Sequence, residues 1–341
     1  MKLQKLHIKN YKSIVDLEIV EPNPFTVFAG PNGAGKSNIF EALEFFSYVN
    51  STYSSRGSNI NGISQKFIYM MFNGSKLLPF TEKDKDSFIE LEIFVDFLRS
   101  SILFNGNNSN EASASFSDGT FSDHNTDHNI ESGPRNIIFK NFSRLFIGKQ
   151  VLERIAAKSL SNESLTISAK NLEEVLNRLL DTETKRENIK EYLEALVPGF
   201  ENIQIRPSDL KLLIYEKGIE EPFTEDLISD GTYNILCLLT ALFQSDEPQF
   251  LCIEEPENGL NPYVVQEFVN LCRLMCEEKG HYIWLNTHSQ TLVRALREEE
   301  LILVDKKNGA TQIKQFDKGE FHGLKADEAW LTNSLGAGIP W

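Results

Sequence analysis

The eight residues Gly30-Pro31-Asn32-Gly33-Ala34-Gly35-Lys36-Ser37 fit G-x-x-x-x-G-K-[ST], the pattern of a P-loop that cradles phosphate with its backbone. Their surroundings fit as well. Phe25-Thr26-Val27-Phe28-Ala29 before the motif is a short apolar, β-branched run and reads as a buried strand. Ile39, Phe40, Leu43 and Phe46 after it recur at helical spacing. Strand, glycine-rich loop and helix together aim backbone N–H groups and a helix N-terminus at one anion. Lys36 is placed to reach the β- and γ-phosphates of a nucleotide, and Ser37 to ligate Mg²⁺. Gly30, Asn32, Gly33, Gly35, Lys36, Ser37 and Asn38 are therefore candidate nucleotide-binding residues.

A chain of 341 residues can hold one large domain with an insertion, or two domains. With 41% hydrophobic residues and 24 Phe it has ample material for a core. No run approaches 18 apolar residues, so no membrane span is expected. Met1–Lys5 starts basic without an apolar stretch behind it, so no secretory signal is expected either. Cys237, Cys252, Cys272 and Cys276 all sit in apolar helix or strand patterns and read as small core residues. Cys272 and Cys276 are four apart on a predicted helix and could share a metal, but no second ligand pair lies near them. A reduced, cytoplasmic location is the expectation. The net charge of −15 disfavours a uniformly basic, nucleic-acid-coated surface, though not a local basic patch.

Along the chain, residues 3–28 read as two strands leading into a third, and the helix after the P-loop runs to about Val49. Residues 50–66 look like a loop, and Phe67–Phe72 a short apolar element. Ser87–Phe97 largely alternates apolar and acidic residues, which predicts a half-exposed strand of an antiparallel lobe. Residues 105–134 are dominated by Asn, Ser, Asp, Gly and His and predict a mobile surface loop. Its Asp123–His128 run reads as solvated rather than metal-binding, since nothing around it would form a rigid shell. From Pro134 to Lys158 the charge reverses: Arg135, Lys140, Arg144, Lys149, Arg154 and Lys158 stand against Glu153. That stretch is either a surface for phosphate or an acidic partner, or a solvated helix and loop face. Two amphipathic helices follow over 170–195, then strands at 203–205 and 210–215. A polar turn, Ile228–Thr232, precedes a long apolar helix over 233–243. Leu301–Val304 and Thr311–Phe316 flank Lys307-Asn308-Gly309, a hairpin signal. The apolar tail Trp330–Trp341 reads as a partner contact or as packing on its own domain.

Phe250-Leu251-Cys252-Ile253 is a fully apolar strand that ends in Glu254-Glu255. Acidic residues at such a strand end are the expected partners of a P-loop serine. Glu254 is placed to hold Mg²⁺, directly or through water. Glu255, on the turn, can orient an attacking water as general base. His288 follows the end of a second buried strand, Tyr282–Asn286, where it can hydrogen-bond a γ-phosphate.

Four elements now stand in order: Gly30–Ser37, Ser229-Asp230-Gly231-Thr232, Phe250–Glu255 continuing through Pro256–Pro262, and Thr287-His288-Ser289. They resemble an ATPase of the ABC superfamily, and more narrowly the RecF/SMC-like and OLD-family AAA ATPases. Leu6–Ile14 resembles the N-terminal strand motif of those families. The resemblance covers about residues 1–48 and 200–341, with a weaker echo at Asn171–Leu180 and Pro198–Phe200. The fold class it implies is α/β, an ABC-type P-loop ATPase head with an antiparallel β lobe and a helical insertion. Residues 1–103 and 201–341 would form a discontinuous ATPase domain, 104–134 a mobile polar loop and 135–200 the helical insertion.

The resemblance also implies roles. Ser229 and Gly231 would belong to a signature motif that contacts the γ-phosphate held by the other protomer. Asn258–Asn261 would be a loop crossing the dimer interface, and His288 a switch histidine. Lys12 and Ser13 would lie near the nucleotide. ATP and Mg²⁺ would be the cofactors, sandwiched in a head-to-tail homodimer. The pattern departs from the families at Ser-Asp-Gly-Thr, where many have Ser-Gly-Gly-Gln, and at Glu254, where many have Asp. The longer Glu254 side chain would alter Mg²⁺ geometry and slow hydrolysis. Gln65 is the candidate for the Q-loop. Only 53 residues follow His288, with no clustered acidic triad of a Toprim nuclease, and no long heptads separate the two halves. The expectation is an ATPase that regulates a partner nuclease or toxin encoded nearby, in anti-phage defence. The alternative is a RecF-like repair ATPase that binds DNA or RNA through residues 135–158. A transporter subunit is disfavoured by the signature sequence.

Overall fold

The computed structural model describes residues 2–56, 88–95, 98–105, 113–120, 141–147 and 162–331. Its centre is a six-stranded sheet in the order β14-β13-β3-β12-β11-β7. The strands are β3 (Phe25–Ala29), β7 (Phe142–Leu145), β11 (Phe250–Glu254), β12 (Tyr282–Thr287), β13 (Leu301–Lys307) and β14 (Ala310–Gln315). All neighbouring pairs are parallel except β13–β14, which forms the hairpin read from Lys307-Asn308-Gly309. β3, β11 and β12 are buried along their whole length, because layers cover both faces.

Alternation along each strand sorts side chains between those layers. Val27, Ile253, Ile283 and Leu285 enter a core with α2 (Leu172–Asp181), α3 (Glu183–Leu196), α4 (Asp230–Phe243) and α5 (Pro262–Lys279). Phe28, Phe250, Cys252 and Trp284 face the opposite way. They pack with α1 (Lys36–Arg56), whose Ile39, Phe40, Leu43 and Phe46 are buried as their spacing requires. Trp284 is fully buried, its ring 5.2 Å from that of Phe28 and 4.9 Å from that of Phe250. The same core takes Leu6, Ile8 and Ile19 from a five-stranded antiparallel sheet, β2-β1-β4-β5-β6. That sheet contains β1 (Leu3–Tyr11), β2 (Ile14–Val20), β4 (Phe88–Val95), β5 (Leu98–Asn105) and β6 (Ser113–Thr120). A small antiparallel sheet, β8 (Phe200–Arg206), β9 (Lys211–Glu216) and β10 (Phe223–Thr224), packs on the helical side.

The structure departs from the sequence reading in three places. Ser113–Thr120 is an edge strand, so the stretch read as a mobile loop over 104–134 contains β6; its polar composition hides the alternation that sets Ala114 and Phe116 opposite Phe104 and Ile102. Phe142–Leu145 belongs to the central sheet, so the helical insertion does not begin at 135; α2 and α3 also share the main core rather than standing apart. Asp230-Gly231-Thr232 lie inside the first turn of α4, because Ser229 caps it by accepting from the Thr232 N–H. Phe67–Phe72, Gln65, the Asp123–His128 run and residues 332–341 lie outside the described residues. Trp330 is buried in its own domain, in α6 (Ala326–Leu331). Among the described residues no metal-binding group of His, Cys, Asp and Glu is found, and no helix is long and apolar enough to cross a membrane.

His281 closes the floor of the sheet, just before β12. Its Nδ1 accepts from the Gln249 N–H at 3.3 Å, while Gln249 Nε2 donates to the Ala241 and Leu242 carbonyls at the end of α4. Burial holds this imidazole down at about 4, against the opposing effect of a hydrogen bond with the Leu242 backbone. The unfolded chain takes up that proton near 6.5 and the folded chain only near 4. The contribution is therefore complete above pH 6.5 and is lost as pH falls towards 4. Urea unfolding of wild type and His281→Gln across that window is expected to show an extra wild-type loss of about 3 kcal/mol at most.

Candidate functional site

The parallel register brings the carboxyl ends of three strands side by side. Thr287 pairs with Ala29 and Asn286 with Glu254, so the P-loop, Glu255 and His288 all emerge at one edge. Such an edge is where ligands bind in open parallel sheets. Gly30 sits so close to β13 that an added Cβ would lie 2.0 Å from the Val304 carbonyl oxygen. Gly35 has φ +105°, and a Cβ there would lie 2.1 Å from Thr311 Oγ1 and 2.7 Å from Ser13 Oγ. Asn32 and Gly33 are exposed at the crest of the loop.

Below the loop runs a chain of hydroxyls. Asn38 Nδ2 donates to Ser13 Oγ at 2.7 Å, and Thr311 Oγ1 donates to the Ala34 carbonyl at 2.8 Å. Ser13 Oγ and Thr311 Oγ1 are 2.6 Å apart. The carbonyl can only accept, so the order of donors is fixed and Ser13 gives its proton to Thr311. Thr311 thereby fastens the loop to the β13–β14 hairpin. Lys12 lies beside it but is paired with Glu41 of α1.

Lys36 folds back over its own loop. Its Nζ donates to the Gly30 and Pro31 carbonyls at 2.8 and 3.0 Å and lies 3.2 Å from His288 Nδ1. Burial holds the ammonium down at about 8, with Glu255, Glu257 and Glu254 opposing. His288 Nδ1 is also 3.0 Å from the Gly30 carbonyl, and Nε2 is 3.5 Å from Glu255 Oε1. Burial, then the Lys36 charge, depress the His288 imidazole below its ordinary value. One neutral tautomer donates to Gly30; the other accepts from Lys36 and turns its N–H towards Glu255.

Ser37 Oγ donates to Glu254 Oε2 at 2.5 Å, and Asn286 Nδ2 donates to the same oxygen at 3.2 Å. On the other oxygen, Oε1, Glu254 meets Arg144, whose Nε lies at 2.7 Å. Glu255 adopts φ +47°, held by its N–H on the Asn286 backbone and side-chain oxygens at 3.0 and 3.1 Å. Left-handed backbone at a non-glycine residue costs about 1–2 kcal/mol, and here it turns the carboxylate out of the strand line. Asn258 Nδ2 donates to Glu255 Oε2 at 3.0 Å. Glu257 ties this turn to the next strand by accepting from Thr287 Oγ1 and the His288 N–H, and burial raises its carboxyl above the ordinary range.

Ser37 and Glu254 are hard oxygen donors already in contact, the kind of pair that holds Mg²⁺ together with phosphate oxygens. Lys36, backbone N–H groups and the start of α1 suit the phosphates. Gly231 lies against the 258–259 turn instead. A Cβ on Gly231 would lie 2.7 Å from the Gly259 carbonyl, and Asn234 Nδ2 donates to the Asn258 carbonyl at 2.7 Å. Ser229 is exposed at the cap of α4.

A family model described as "AAA domain, putative AbiEii toxin, Type IV TA system" matches residues 25–294. The chain belongs to this family. This match, with the relatives below, places the chain among ABC-superfamily ATPases resembling RecF and SMC proteins. It is 39% identical over 61 residues to the chromosome partition protein Smc of Methanocaldococcus jannaschii, 18% of this chain and 5% of that protein. It is 39% identical over 51 residues to the replication and repair protein RecF of Corynebacterium jeikeium, 15% of this chain and 12% of that one. These matches therefore span a small part of either relative. An Smc head with an extended coiled coil, bound to the C-terminal domain of ScpA and derived from Pyrococcus furiosus, superposes with a TM-score of 0.54 at 14% identity. The match covers 98% of both chains and shows the shared fold.

Several site residues escaped the sequence reading. Arg144 lies in the basic stretch read as a surface for phosphate or an acidic partner, or as a solvated face, yet its side chain is 8% exposed and is paired with Glu254. Arg135, Lys140, Lys149, Arg154 and Lys158 lie outside the described residues. Asn286, Thr311 and Glu257 carry no local motif; only the register that sets Asn286 beside Glu254 reveals the first of them. Replacing Gly33 by Ala, where nothing lies within 4 Å, is expected to cost about 1 kcal/mol from φ alone. Gly35→Ala is expected to cost clearly more in denaturant unfolding, since it also forces Ser13 and Thr311 apart.

Proposed function

We propose that the protein binds and hydrolyses ATP with Mg²⁺, closes as a homodimer around it, and uses that cycle to hold or release a partner effector. The observation that carries this reading is the meeting of Lys36, Ser37, Glu254, Glu255 and His288 at one edge of the sheet. Lys36 and the loop N–H groups would bind the phosphates, and Ser37 and Glu254 would hold the metal. When bound, Mg²⁺ would neutralise charge on the β- and γ-phosphates. Glu255, one-third exposed and steadied by Asn258, would accept the proton of the attacking water. A positioned base of this kind typically contributes about 10²–10⁴-fold in rate. His288, between Lys36 and Glu255, would respond to the γ-phosphate.

Ser229 and Gly231 stand on an exposed helix start that is bonded to the 258–259 turn, which favours their use by a second copy. The proposed effector is a nuclease or toxin encoded nearby, and the proposed setting is cytoplasmic anti-phage defence, of the OLD-like kind. Support comes from the family's description as a toxin–antitoxin AAA domain and from the Smc head solved with part of ScpA. The RecF-like reading, DNA or RNA binding through 135–158, is weakened because Arg144 is committed to Glu254.

Lys36→Ala is expected to abolish ATP binding. Glu255→Gln is expected to bind ATP, lower turnover at least about 100-fold, and accumulate as a dimer in ATP on size-exclusion chromatography. Unchanged turnover in Glu255→Gln would remove the base assignment. A dimer that also persists when Ser229 is replaced by Arg would remove the sandwich. Copurification of the native complex from its host tests the effector.

A further inference from the structure

We propose that Arg144 is the positioning residue for the metal half of the site: it fixes the Glu254 carboxylate with one oxygen turned to Ser37, and so sets the affinity for Mg²⁺. The proposal rests on the ATP reading above.

Arg144 stands on β7, the edge strand beside β11, directly opposite Cys252. Its guanidinium is buried among three carboxylates. Nε and one terminal nitrogen bond Glu254 Oε1, the other terminal nitrogen donates to Glu44 at 2.7 Å, and Glu41 lies at 3.5 Å. Glu41 in turn holds Lys12. Burying such a cluster carries a large desolvation cost, and an apolar side chain would often serve a strand edge as well or better. The arrangement is also lopsided. Both arginine donors meet one oxygen of Glu254, leaving Oε2 to Ser37 and Asn286. A glutamate has one more torsion than an aspartate and can swing away from the P-loop. Arg144 removes that freedom by holding Oε1 while Ser37 meets Oε2. Groups that orient a metal ligand in this way are typically worth about 10–100-fold in metal affinity.

The test is binding of a fluorescent ATP analogue, with EDTA and across a Mg²⁺ titration, in wild type, Arg144→Gln and Arg144→Lys. Circular dichroism melting checks that each variant is folded. Arg144→Gln is expected to bind as wild type does in EDTA but to need about 10-fold more Mg²⁺ or higher for the half-maximal effect. Arg144→Lys is expected to fall between, because it restores the charge without the planar fork. An unchanged Mg²⁺ midpoint in folded Arg144→Gln overturns the proposal, as does an equal loss with and without Mg²⁺, which is the mark of a scaffold residue. If Arg144→Gln does not fold, Glu44→Gln loosens the same guanidinium without touching Glu254 and is expected to raise the midpoint; no shift there overturns the proposal too. Absence of any Mg²⁺ effect in wild type would instead sink the ATP reading itself.

Discussion

Everything at the candidate site depends on the parallel register of β3, β12 and β11. Backbone hydrogen bonds set Ala29 beside Thr287 and Glu254 beside Asn286. A slip of one residue would reverse which side chains face α1 and which face the helical layer. The apolar sets are well matched to prevent it. Val27, Ile253 and Leu285 are buried on one face, Phe28, Cys252 and Trp284 on the other. The same packing that stabilises the sheet therefore places the chemistry, because the loops simply continue from strands held in line.

The site concentrates charge at a buried edge. Glu254, Glu255 and Glu257 all raise the proton affinity of Lys36, yet burial still lowers it on balance. Arg144 and Lys12 answer Glu254, Glu44 and Glu41 from the far side. Cationic Lys36 rests on two carbonyls and a histidine. An anion entering there would replace weak neutral partners with a charged one, which is how a pre-formed site turns its own desolvation into affinity.

Much of this was legible without the fold. The P-loop, its strand and its helix obey local rules of spacing and glycine placement, and so does the strand ending in Glu254-Glu255. The weaker signals were those with no period to read. β6 is polar, and β7 is four residues long and lies in a stretch whose positive charge suggested solvent or phosphate. Thr311 lies 277 residues from the Ala34 carbonyl it holds, so no window of sequence could pair them.

By itself the sequence determined the chemistry on offer: a phosphate loop, two strand-end carboxylates and a histidine, each attached to an element it helps define. Tertiary structure alone decided which distant groups serve them. Arg144 became a partner of Glu254 because β7 happens to pair with β11, and Asn286 because β12 lies in register with it. Local sequence fixes which torsions a segment prefers, whereas contacts between segments follow from how several apolar faces are buried at once, and that is a property of the whole chain.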